Sequence, residues 1–135
     1  MVRDEAAIVE TFRNYVQSFQ SLEPRALVPY FQLPCLFISD QGVRVMANAG
    51  ELQAFIAQLM ENLKGRGFAR SEVADMRVSR MSENIALVSV RRIRHKVDGS
   101  ELERLGETYT LRKIDDGWKL SAAMVHDPDV ILRTA

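Results

Sequence analysis

The chain predicts an α+β domain, with helices on one face of an antiparallel sheet. Three observations point there. Apolar residues recur at three- and four-residue spacing through the first half, at positions 7–19 and again at 52–63. Everything after Gly67 alternates with period two instead. Turn signals at Ser82-Glu83-Asn84, Asp98-Gly99 and Asp115-Asp116-Gly117 cut that second half into long strands. Helices first, then strands joined by tight turns, is the order of an α+β fold.

The first helix is expected over residues 4–20, where Ile8, Phe12, Tyr15, Val16 and Phe19 form one apolar stripe. Glu23-Pro24 opens a second, short helix, because proline suits a first helical turn; Leu27, Tyr30 and Phe31 follow on one side, and Pro34 is expected to stop it. A strand over 35–39, a turn at Asp40-Gln41-Gly42 and a strand over 43–46 read as a hairpin. Asn48 caps a third helix over 49–64, with Leu52, Phe55, Ile56, Leu59, Met60 and Leu63 inward and Gly65-Arg66-Gly67 at its end. Four strands, 68–80, 84–97, 101–113 and 118–126, complete an antiparallel meander.

At 135 residues the chain has room for one core, so residues 1–135 are read as a single domain. Eighteen basic residues balance eighteen acidic ones, which removes the electrostatic footprint of nucleic-acid and anionic-membrane binders. No apolar run reaches the length of a membrane span, and the charged start Met1-Val2-Arg3-Asp4-Glu5 does not read as a signal peptide. One cysteine, Cys35, forms no internal disulfide, and a cytoplasmic location is the default expectation. There is no glycine-rich phosphate loop and no spaced Cys/His set, so neither a cofactor nor a metal is expected. One sheet face is left without helices. It is expected to carry Val73, Met76, Val88 and Val90 and to pair with a second copy as a homodimer.

The element order, with Asn14-Tyr15-Val16, Leu27-Val28-Pro29-Tyr30-Phe31, Thr108-Tyr109-Thr110-Leu111 and Asp116-Gly117-Trp118-Lys119-Leu120, resembles the nuclear-transport-factor-2-like superfamily. Ketosteroid isomerases, SnoaL-like polyketide cyclases and dehydratases belong to it. The resemblance implies a cone-shaped domain, its curved antiparallel or mixed sheet holding three helices on the concave side. It also implies an enclosed pocket for a small apolar or carbonyl-containing ligand. Phe12, Phe19, Phe31, Phe55, Leu59, Tyr109, Trp118 and Met124 are the expected lining.

Four residues are candidates for chemistry. The isomerase branch uses a first-helix tyrosine and a strand acid as hydrogen-bond donors to an enolate, with an aspartate base after the first strand. Tyr15 and Glu107 fall at the first two positions; Asp40 fits the third with a one-residue shift, since without a gap Ser39 occupies it. Such a constellation would abstract a proton beside a carbonyl. His126 is a further acid–base candidate, on a face expected to include Trp118, Leu120, Ala122 and Met124. The plainer readings are a core tyrosine, a turn aspartate, a strand-end histidine, and a Glu107 paired with an arginine across the sheet. The run Arg91-Arg92-Ile93-Arg94-His95-Lys96 is expected to pair with Glu101, Glu103 and Glu107, unless one arginine enters the pocket to bind a ligand anion.

Overall fold

The computed structural model describes residues 2–115 and 117–132, so Asp116 of the predicted last turn lies outside the described residues. Helix α1 spans Val2–Phe19, α2 Pro24–Leu27 and α3 Ala49–Gly65; a 3-10 turn, Val28–Tyr30, follows α2. The strands are β1 Phe31–Ser39, β2 Gly42–Met46, β3 Phe68–Ser82, β4 Ile85–Lys96, β5 Glu101–Ile114 and β6 Gly117–His126. They form one curved, unclosed mixed sheet in the order β2-β1-β6-β5-β4-β3. All neighbours are antiparallel except β1 and β6, which run parallel.

Helix α3 begins as its sequence predicts: the Asn48 side chain accepts from Glu51 N at 2.9 Å, and Glu51 reaches back to Ala47 N. Strand β1 departs from expectation. It starts at Phe31, four residues early, and carries Pro34 within it at the register shift between Phe31 and Leu36. Proline lacks a ladder donor and is tolerated at such an irregularity.

The inner sheet face meets α1 and α3. Ile8, Phe12 and Leu27 from the helices, and Val88, Leu111 and Leu120 from the sheet, are fully buried there. Each such side chain stabilises the fold by about 1.5–3 kcal/mol. Val88 and Val90 pair with Tyr109 and Glu107, and Met76 and Val78 pair with Val90 and Val88. Val88, Val90 and Met76, with Val73 opposite Arg92, therefore belong to the inner face and not to the outer one expected for them. Ile38, Leu87, Ala122 and Met124 are among the apolar residues of the outer face, and residues 127–132 fold back across part of it. Among the described residues no helix is long and apolar enough to cross a membrane.

Candidate functional site

Tyr15 and Glu107, far apart in the chain, converge in the interior. Tyr15 lies on the buried stripe of α1 at 3% exposure, its ring 5.8 Å from that of Tyr109 and 5.7 Å from that of Phe31. Glu107 and Tyr109 alternate onto the inner face of β5. Arg92 of β4, diagonal to Glu107 in the antiparallel register, donates from Nη1 to Glu107 Oε1 at 2.8 Å and lies over the Phe19 ring at 5.3 Å. Arg92 Nε donates to Ser71 Oγ at 3.1 Å. Arg94 is held likewise by Glu103 at the same face.

Donors and acceptors in this cluster can be assigned from its connections. Arg92 Nη1 also donates to the Tyr109 hydroxyl at 3.4 Å, and the Tyr15 ring packs edge-on against that of Tyr109. A carboxylate paired with arginine accepts, so Glu107 has no proton to donate. Burial pushes the Tyr15 phenol up to about 12, against the opposing pull of Arg92, and raises Tyr109 well above its ordinary value. Burial also works against the Arg92 charge, yet Glu107 beside it holds the guanidinium above the usual arginine range.

Asp40 and His126 stand elsewhere. A bulge between Leu120 and Ala122, where Leu111 pairs with Leu120 but Thr110 with Ala122, reverses the facing of β6. Trp118 and Leu120 point inward as predicted; Ala122, Met124 and His126 point outward, and Met124 is 41% exposed. This corrects the expectation that Met124 and His126 share the Trp118 face. Asp40 is exposed in the β1–β2 turn and borders the same outer groove as His126. The other expected lining residues, Phe12, Phe19, Phe31, Tyr109 and Trp118, are buried in the inner core, while Phe55 and Leu59 of α3 are half-buried.

On the outer face His126 ends a chain of hydroxyls. Its Nδ1 faces the Asp127 carbonyl at 3.1 Å, which can only accept, so in the neutral ring Nδ1 carries the proton. Nε2 then accepts from Thr108 Oγ1 at 2.8 Å, Thr108 accepts from Ser89 Oγ at 2.9 Å, and Ser89 accepts from Leu132 N at 2.9 Å. With Arg91 Nε on the Pro128 carbonyl at 2.8 Å, these bonds tie residues 127–132 to the sheet. Gly106 makes room: a Cβ there would meet His126 Nδ1 at 2.7 Å.

A cavity of about 400 Å³ opens at the end of the β1–β2 hairpin, beside α3. Phe37, Val43, Phe55 and Val125 give it apolar walls; Ser39, Gln41 and Arg44 supply its polar groups. The Phe37 and Phe55 rings are 4.6 Å apart, and the Arg44 guanidinium lies 5.1 Å from the Phe55 centroid. Sequence reasoning missed Phe37, Ser39 and Arg44 as cavity residues. The signal available was alternation: a turn aspartate that faces outward leaves its neighbour Ser39 facing in.

The fold recurs in solved structures of low sequence identity. A protein of unknown function with a cystatin-like fold from Nostoc punctiforme is 13% identical, with 93% of this chain and 91% of that one covered at a TM-score of 0.75. An NTF2-like protein with a cystatin-like fold from Novosphingobium aromaticivorans is 17% identical, covering 92% and 81%, at 0.74. Aln2 from a Streptomyces species is 11% identical, covering 94% and 92%, at 0.75. At these identities the likeness is one of fold. No curated protein matches the sequence. The sequence profile of one family matches residues 4–128, and the chain belongs to that family, NTF2-like protein (DUF6841).

Proposed function

We propose that this chain is a small-molecule-binding module whose ligand, a small apolar or carbonyl-containing compound, occupies the cavity between the β1–β2 hairpin and α3. The Tyr15 phenol performs no acid–base catalysis in this reading. One observation supports it above the others: the only acid of the implied oxyanion hole is already paired. Glu107 accepts from Arg92 at 2.8 Å with both side chains buried, so it has no proton to donate to a carbonyl oxygen. A proton-abstracting enzyme needs free donors at the carbonyl oxygen and a base on the same side of the substrate. Asp40 and His126 lie across the sheet from Tyr15. The hairpin cavity, by contrast, has apolar walls and a few polar groups, the usual anatomy of a ligand site. The exposed Met124 and Val130 favour self-association of the outer face, measurable by sedimentation.

Thermal unfolding against a panel of phenols, cyclic enones and small aromatic acids tests the proposal. A ligand at 100 times its dissociation constant adds about 2.7 kcal/mol. Phe55→Ala should lose that response and Tyr15→Phe should keep it. Loss in Tyr15→Phe with retention in Phe55→Ala would move the ligand to the interior and overturn the proposal.

A further inference from the structure

The hairpin cavity is asymmetric in its chemistry. Its apolar walls come from Phe37, Val43, Phe55 and Val125, and Arg44 is the single charged residue lining it. Arg44 is paired with no carboxylate among the described residues; its guanidinium lies on the Phe55 ring instead. The ring's π face attracts the guanidinium and leaves N–H groups free to bind an anion. Two neutral donors stand beside it. Ser39 Oγ already accepts from Gln41 N at 3.2 Å, so its hydroxyl proton is available to another acceptor, and the Gln41 side-chain amide adds two more N–H groups. Asp40, the nearest acid in sequence, lines the outer groove and not this cavity.

Resting on the ligand-binding reading above, we infer that the cavity takes a carboxylate-bearing aromatic or alicyclic compound, the ring between Phe37, Phe55 and Val125 and the carboxylate on Arg44, Ser39 and Gln41. Donors without an acidic residue among them suit an anion, and a planar carboxylate matches the two-pronged guanidinium edge. An exposed arginine pairs weakly in open water. Here the apolar walls exclude water from one side of the pair, and the Phe55 ring attracts the guanidinium to that wall.

Calorimetric titration of the intact protein with benzoate and 2-naphthoate, each beside its uncharged primary amide, tests the inference. The carboxylates should bind about tenfold or more tightly than their amides, as expected of a hydrogen-bonded charge. In Arg44→Gln that preference should vanish while amide affinity holds; in Phe55→Ala both should weaken. Equal affinity of acid and amide for the wild type would overturn the inference and leave the cavity reading standing. A preference that survives Arg44→Gln would remove Arg44 from the site. Binding of neither class would overturn both.

Discussion

Arg92 Nη1 stands 2.8 Å from Glu107 Oε1 with both side chains sealed from solvent, 1% and 8% exposed. Two opposite charges thus sit where the family resemblance implies a ligand pocket. Arg92 Nη1 also reaches the Tyr109 hydroxyl at 3.4 Å, and the guanidinium lies over the Phe19 ring. The interior is consequently an ion pair inside an aromatic core.

Removing one member of that pair should cost far more than removing both. Arg92→Met leaves Glu107 buried without its counter-charge and should destabilise by about 3–5 kcal/mol. Arg92→Met with Glu107→Leu should recover most of the loss, since apolar replacement of a buried pair is often neutral. Urea unfolding of the single and double variants reads both values. A cost below about 1 kcal/mol for Arg92→Met would mean the pair is solvated.

The Tyr15 phenol sets an alkaline limit. Its folded value is raised to about 12 from an ordinary 10.0, so its contribution to stability is fully present below pH 10 and is lost as pH rises towards 12. Wild-type stability should fall through that window, and Tyr15→Phe should fall less steeply. Chemical denaturation at a series of pH values gives the slopes; parallel slopes would refute the assignment.

Gly106 is required by the approach of His126 and the Asp127 carbonyl. Gly106→Ala should displace His126, break its bond to Thr108 and cost about 1–3 kcal/mol. The Leu132 amide, held by Ser89 at the far end of the same chain, should lose hydrogen-exchange protection. Thr108→Val should expose the same amide with Gly106 intact. Unchanged protection in both variants would show that the hydroxyl chain does not hold residues 127–132.

Asp40→Asn should change stability by less than about 0.5 kcal/mol and leave ligand responses as they are, because the side chain is exposed in its turn and outside the hairpin cavity. A loss of ligand response in this variant would return Asp40 to the site.

Much of the architecture was legible because each signal was local. The stripe Ile8-Phe12-Tyr15-Phe19, the Asn48 cap and the Asp98-Gly99 turn act within a few residues, and all appear where periodicity puts them. The charge run on β4 read correctly in part: Arg92 and Arg94 pair with Glu107 and Glu103 across the hairpin, whereas Glu101 pairs with Arg104 of its own strand, and Arg91 and His95 with Asp75 and Glu72 of β3. The facing of β6 was not legible. Nothing in Leu120-Ser121-Ala122-Ala123 announces a bulge, and a one-residue slip moves every later side chain to the other face. That slip separated His126 and Met124 from Trp118. Nor could the sequence show that Tyr15 would meet Tyr109 before any ligand, since that depends on how α1 settles against β5.

The central claim is that ligand sits at the hairpin cavity while the aromatic interior around Tyr15 stays closed. Amide chemical-shift mapping during titration with a stabilising carboxylate tests it most directly. The largest changes should fall at Phe37, Ser39, Arg44 and Phe55, with Tyr15, Glu107 and Tyr109 nearly still. Changes centred on Tyr15 and Tyr109 would contradict the claim, and would show that the interior opens to ligand.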